Sequence, residues 1–381
     1  MSQDALRLLA LEEKMDAQAK MFDWLKKFKP SGDVRLRHES LFRQGSNASS
    51  SKRFDRSRQR IRFRIGGEYF FTKNIKAGFR LATGPEDSAS GDSSPTSTNQ
   101  TLDNTFSTKN INLDRVYANW KIPHGNSSLQ LRGGKFGVPF MKSEQLWDSD
   151  LSLEGATEKL SHKMRDTKLE LILGQFVVEE FGNSATDGGS DDVHLFAYQG
   201  VVSQKLGSIA KAKMGVALYD YQNILGNNLT FGAGANTVDA DGDFAANYDL
   251  LNILAEFSTD LIMGVPVKVF GGYVKNVSDD AKDLENEGYE AGVKVGKSVK
   301  KPGDWQAKYI FRNTGADAAL DAINDSDFFE GGTNSEGSEI GLKLGLFDGI
   351  LLGLTYMDTK SIIGPETHLQ LLHADLVLTL F

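Results

Sequence analysis

The chain contains no cysteine, so it forms no disulfide and no Cys-ligated zinc site. It also lacks any run near the roughly 18 apolar residues that a transmembrane helix needs. It has no basic excess. Its 43 Lys and Arg are outweighed by 51 Asp and Glu, for a net charge of −8, which argues against a nucleic-acid binder. The start, MSQDALRLL, is polar and does not read as a signal peptide. Mean hydropathy is −0.34, a value shared by soluble proteins and by β-barrels in which only alternate residues face lipid.

What is present is a change of period. Over residues 2–28, Leu8, Leu11, Met15, Gln18, Phe22 and Leu25 recur every three or four positions. That is a helical seam with one polar member, and Pro30 and Gly32 are expected to stop it. So short a helix is marginal in water, and its stripe needs a partner. Packing on its own chain and a short coiled coil between subunits both supply one.

From residue 31 the period becomes two. In 56–70, Arg56, Arg58, Arg60, Arg62, Arg64 and Glu68 take one face, while Ile61, Phe63, Ile65 and Tyr69 take the other. Segments 75–82, 289–296, 305–312 and 340–344 repeat the alternation. Such strands have one wet and one apolar face. Sixteen are expected: 31–43, 56–71, 75–84, 110–122, 128–136, 151–162, 167–181, 192–205, 210–222, 247–257, 266–276, 286–298, 304–314, 337–344, 349–358 and 367–381.

Connections after even strands are short. Those after odd strands are mostly long and polar, as in 85–109, 223–246 and 315–336. The Ser- and Asp-rich run 86–100 is expected to be mobile. Short turns on one rim and long loops on the other mark a transmembrane antiparallel β-barrel. The expected domains are a helix over 1–30 and an all-β barrel over 31–381. An even strand count returns both ends to the short-turn side, which is periplasmic in such barrels. A barrel of this kind needs a leader for export, so Met1 is expected to stand in place of one. The soluble alternatives are a β-sandwich, a propeller or other β-rich repeats. No fixed repeat supports a propeller, and a soluble core would not need five arginines in register on one strand.

Several segments resemble the putative porin family of Gram-negative outer membranes, which is distantly similar to phosphate-selective porins. They are GDVRLRHE (32–39), RQRIRFRIGGEYFFTKNIKAGFRLATG (58–84), LDRVYANWK (113–121) and LRGGKFGVPF (131–140). The resemblance is densest over 31–140 and thins to pattern toward the C-terminus. It implies a homotrimer of sixteen-stranded channels in outer-membrane lipid, each with a short N-terminal coiled coil. Such channels pass small hydrophilic solutes and ions and use no cofactor. The terminal aromatic Phe381 fits the mark read by the barrel-assembly machinery. The last strand departs from the usual pattern, because Leu376, Val377, Leu378 and Leu380 are apolar on both parities.

A passive pore needs a polar lining and a constriction rather than a catalytic group. Residues 31–135 carry 18 Lys and Arg against 9 Asp and Glu, which leaves a net of −17 for the rest. Arg35, Arg37, Arg58, Arg60, Arg62, Arg64, Arg80, Arg115 and Arg132 are expected to form a basic wall, and Lys135 is a further candidate. The connection 137–150, GVPFMKSEQLWDSD, is richer in apolar residues than a free loop. It is the third long connection, the one that folds into the lumen in trimeric porins. Glu144, Asp148, Asp150 and Glu154 would then face the wall across the pore. The bland reading is that the arginines only solvate the lumen and pair with nearby acids.

The other signals are weaker. Asp239, Asp241 and Asp243 resemble half a calcium loop, with the Gly misplaced and no closing Glu. The histidines (His38, His124, His162, His194, His368, His373) show no ligand spacing, and no metal site is expected. Tyr69, Trp120, Tyr273, Trp305 and Tyr356 read as interfacial girdles or as stacking surfaces for a ligand. No enzyme motif is present. The function expected is passive diffusion of small hydrophilic solutes and ions, with some preference for anions. The alternatives are a substrate-selective channel for phosphate, organic anions or sugars, and a closed barrel that tethers the envelope.

Overall fold

In the computed structural model the described residues are 7, 11–15, 22, 24–45, 54–85, 93–181, 191–262 and 264–381. Sixteen long strands form one antiparallel sheet. They are β1 (Phe28–Gly45), β2 (Phe54–Phe70), β3 (Ile75–Thr83), β4 (Ile111–His124), β5 (Ser127–Gly137), β6 (Ser152–Met164), β7 (Thr167–Glu179) and β8 (Val193–Leu206). Then follow β9 (Ala210–Gln222), β10 (Tyr248–Ile262), β11 (Val265–Asn276), β12 (Glu287–Gly296), β13 (Trp305–Thr314), β14 (Ser335–Phe347), β15 (Ile350–Ser361) and β16 (Thr367–Leu380). A two-residue strand, Gln100–Thr101, leans on β2.

Each strand pairs with its neighbours in sequence. β16 pairs back onto β1, from Gly32 opposite Leu380 to Gly45 opposite Thr367, so the barrel is closed. All sixteen expected strands are present, with shifted ends. The order of short turns and long loops also holds, although 297–304 is longer than the other short turns and 362–366 is the shortest of the long series.

The outward phase is apolar. Leu36, Phe79, Leu113, Val116, Leu171, Val202 and Ile340 all project exposed from the wall. The five aromatics singled out in the sequence share this phase, in two bands. Tyr69, Trp120 and Trp305 lie toward the short-turn rim, and Tyr273 and Tyr356 toward the long-loop rim. Two such belts are the interfacial pattern of a membrane barrel.

The inward phase is charged on one side of the barrel and apolar on the other. The apolar part is a core inside the barrel, not between layers. Phe136, Phe176, Leu195, Tyr219, Tyr248 and Leu250 of the wall close over Phe140, Leu146 and Trp147 of the 138–151 connection and Leu320 of the 315–334 connection. A second cluster sets Phe328 of the 315–334 connection against Leu41, Met357, Leu369 and Leu371. That cluster explains the inward apolar residues in the first half of β16, though not Val377 near its end. Its outward Leu376 and Leu378 face away from the interior, while its inward Leu369 and Leu371 serve a loop folded into it.

Three expectations need correction, and a fourth lies largely outside the described residues. Residues 11–15 are helical and Leu25–Lys27 make a 3-10 turn, but the rest of the helix expected over 2–28 lies largely outside the described residues. Strand β1 starts before Pro30, which therefore stops no helix. Pro30 sits in an overhang of β1 beyond the end of β16, an edge position that tolerates its missing N–H. Of the run expected to be mobile, 86–92 fall outside the described residues, whereas Thr98, Asn99 and Gln100 are buried, held by Asp150, by Arg35 of β1 and by pairing with β2 respectively. Finally, 315–334 is not a free external loop, because its apolar residues carry it inward.

The absence of native cysteine makes the two faces separable. In membrane-embedded protein, Gln306→Cys should react with a water-soluble maleimide, whereas Tyr309→Cys should be shielded. Equal labelling of both would contradict the assigned phase.

Candidate functional site: the charged interior of the barrel

The interior is built from two inward-turning connections and the arginine face of β1 and β2. Segment 138–151 joins β5 to its neighbour β6, yet it reaches distant parts of the wall. The Met141 amide donates to Gln199 Oε1 of β8 at 2.7 Å, and Gln145 Nε2 donates to the Asn313 carbonyl of β13 at 2.8 Å. Asp150 meets Arg64 of β2 at 3.1 Å. Only a path through the interior reaches strands so far apart. Trp147 anchors it, 1% exposed, with ring centroids 5.0 Å from Tyr219 and 6.2 Å from Phe140.

The nine expected wall arginines all turn inward, but most are neutralised locally. Arg37 donates to Asp375 at 2.7 and 2.9 Å and to Asp327 at 2.9 Å. Arg58 and Arg60 share Glu39, with Arg60 at 3.1 Å. Arg62 and Arg64 each hold Asp33 at 2.7 Å, and Asp150 lies 4.0 Å from Arg62. Arg80 pairs with Asp114. Arg35 instead donates to Asn99 Oδ1 at 2.5 Å, and Arg115 to Ser152 Oγ at 3.0 Å. Arg132 lies 5.4 Å from the ring centroids of both Tyr117 and Phe136. Gly137 leaves room for the Arg115 guanidinium, since a Cβ there would come within 2.9 Å of it.

The reason is desolvation. A guanidinium taken out of bulk water needs a hydrogen-bonded counter-charge. Arg37, Arg60 and Arg62 are under 10% exposed, and Glu39 is 3% exposed.

The four acids expected to face this wall part company. Asp150 meets it, where burial opposes ionisation but Arg64 and Arg62 outweigh it and hold the carboxyl below its usual range. Glu144 turns instead toward Arg312 of β13, 3.8 Å away. Asp148 is 3% exposed and accepts the amides of Asp150 at 2.6 Å and Ser326 at 2.8 Å. Burial, followed by the neighbouring charge of Asp325, pushes its carboxyl up to about 8, so it is neutral at pH 7.

Glu154 is a correction. It lies on β6 one residue after inward Leu153, so it points outward and pairs there with Lys135 of β5. Neither belongs to the interior. The expectation failed because it grouped Glu154 with the acids of the 137–150 connection although Glu154 falls in the strand expected over 151–162, where its position has outward parity.

Sequence reading missed Asp325 and Asp327 of the 315–334 connection. Asp325 holds Arg312 at 2.9 Å and Asp327 holds Arg37. The signal was there in the flanking apolar residues Ala318, Ala319, Leu320 and Phe328, which a free loop would not carry. Missed too was a second basic face. Lys268, Lys294 and Lys308 occupy neighbouring inward positions on β11, β12 and β13.

The weaker signals settle simply. His373 points inward, 3.2 Å from Glu39, and His368 outward, 2.5 Å from Asp358, so the two do not converge. Asp239 Oδ1 accepts the amides of Asp241 and Asp243, so that carboxylate caps its own turn. Among the described residues no three His, Asp or Glu side chains gather as a metal site.

A family model described as "Putative porin" matches residues 50–244 and 235–379. No curated protein matches the chain. Among solved structures, the high-pH structure of Pseudomonas putida OprB is similar at 12% identity and a TM-score of 0.57, covering 95% of this chain and 97% of that one. A mutant of the Rhodopseudomonas blastica porin is similar at 7% identity and a TM-score of 0.45, covering 93% of this chain and 100% of that one. The OprB likeness shows the fold.

Asp148 gives this interior a pH signature. Folded protein keeps its proton up to about pH 8, whereas a free Asp loses it near 3.8. Its contribution to stability is therefore fully present below 3.8 and is lost as pH rises toward 8, by about 1.4 kcal/mol per unit. Unfolding free energies from pH 5 to 9 should fall more steeply for the wild type than for Asp148→Asn. Parallel curves would remove the buried, protonated Asp148.

Proposed function

The chain belongs to the putative porin family, and on that premise we propose that it forms a water-filled pore for small hydrophilic solutes and ions, with a preference for anions. Membership and fold place it in a bacterial outer membrane as a diffusion channel. The observation that carries the reading is the two-faced wall. A closed barrel with apolar residues outside and charged residues inside has hydrocarbon for one solvent and enclosed water for the other.

Several finer features belong to the same reading. The short-turn rim faces the periplasm, and the N-terminal segment, which enters β1 at that rim, lies there too. Phe381, 79% exposed at the same rim, is the residue offered to the barrel-assembly machinery. The outward Lys135–Glu154 pair suits a face shared by subunits better than one in contact with lipid, which supports a homotrimer. The inward connections narrow the path and limit it to small solutes.

A second reading has its own support. The 315–334 and 138–151 connections cover Arg37, Glu39 and Arg62 so well that a barrel closed at this level would serve as an envelope tether.

Current decides between the two. Purified protein added to a planar bilayer should give discrete steps of ohmic conductance, and liposomes holding it should swell faster with smaller sugars. A bilayer that stays insulating with folded protein present would favour the closed tether.

A further inference from the structure

Six of the nine wall arginines are matched by carboxylates, and Arg35, Arg115 and Arg132 are left to neutral partners dispersed along the wall. The lysines near the short-turn rim differ. Lys205 of β8, Lys211 of β9, Lys268 of β11 and Lys294 of β12 line one cavity of about 400 Å³ at that mouth. Each has the inward parity of its strand, shared with Gln199, Tyr219, Val274 and Glu290 respectively. Lys268 is ion-paired, to Glu256 at 2.8 Å. Lys205, Lys211 and Lys294 make no ion pair among the described residues. Asp260 is the one carboxylate in the cavity lining, while Ser258 and Gln306 add neutral polar groups.

The register sharpens the point. Lys268 stands directly opposite Lys294, and Lys294 directly opposite Lys308. Like charges in such cross-strand positions destabilise a sheet. The arginine face has such pairings too, Arg35 opposite Arg62 and Arg37 opposite Arg60, but offsets them with Asp33, Glu39 and Asp375. In the lysine row Glu256 and Glu339 offset Lys268 and Lys308, while Lys294 between them has no ion pair among the described residues and lies beside a cavity of the right size for a small ion. Conflicts between local stability and fold gather where a ligand is bound. Lysine ammonium groups are compact, rotatable donors suited to phosphate and carboxylate oxygens.

We propose that Lys205, Lys211, Lys268 and Lys294 form a binding site for small multivalent oxyanions at the short-turn mouth, and that this site, not the arginine wall, sets the ion preference of the pore. The ion preference rests on the channel reading above; the binding site does not. Neighbouring Lys308 is tied to Glu339 and extends the positive field inward. A field of one sign at a mouth raises the local concentration of the opposite ion, and salt screens it.

The test compares wild type with a Lys205→Gln, Lys211→Gln, Lys294→Gln triple variant, using inorganic phosphate as the probe. Heat-modifiable migration in gels checks that both are folded. Calorimetry on the detergent-solubilised barrel should show phosphate binding that weakens with added salt and is about tenfold or more weaker in the variant. In bilayers, phosphate should block chloride current in the wild type, and the variant's reversal potential in a salt gradient should move toward zero. Equal phosphate affinity in both proteins, or none in the wild type, would overturn the site. An unchanged reversal potential would overturn its role in selectivity. A wild type that binds phosphate but passes no current would refute the channel reading and keep the site.

Discussion

Everything in this structure depends on the pairing of β1 with β16. In hydrocarbon an unpaired backbone amide or carbonyl costs several kcal/mol, so a sheet can span a membrane only if it has no edge. The first and last strands meet that demand from Gly32–Leu380 to Gly45–Thr367. Closure then divides every strand into two solvents. Leu36 and Leu376 belong to the outer one, and Arg37 and Asp375, their neighbours, to the inner one. A one-residue slip would send arginine into lipid, so the period of two and the closure enforce each other.

Inside, the governing rule is charge compensation. Arginines withdrawn from bulk water need carboxylates, and the wall alone does not supply enough. Asp33, Glu39 and Asp375 come from the strands, whereas Asp150, Asp325 and Asp327 come from two connections that turn inward. Those connections are held in turn by apolar anchors, Trp147 and Phe140 in one and Leu320 and Phe328 in the other. The arginine face and the inward loops are therefore one device. Positive charge left over lies on Arg35, Arg115 and Arg132 and among the lysines of the short-turn mouth.

The sequence made the barrel legible because period two survives any local packing detail. Alternation in 56–70 gave the faces of β2, and the turn lengths gave the rims. The path of 138–151 was legible through Phe140, Leu146 and Trp147, which no free loop needs. Partners across the interior were not. That Arg58 would choose Glu39, or Arg312 Asp325, depends on strand register and loop paths that no single strand encodes. Glu154 was misplaced because it was grouped with the loop acids, although it lies in the strand one residue past inward Leu153. The 315–334 connection was misread because its acidic and glycine-rich composition masked a handful of buried apolar residues.

The two-solvent wall can be tested through the tryptophans. Trp120 and Trp305 project outward, 49% and 42% exposed, while Trp147 is sealed within the barrel at 1%. Single-tryptophan variants can be placed in liposomes of brominated lipid, which quenches fluorescence on contact. The account predicts strong quenching of Trp120 and Trp305 and little of Trp147. Quenching of Trp147 as strong as that of Trp305, or no quenching of any, would contradict it.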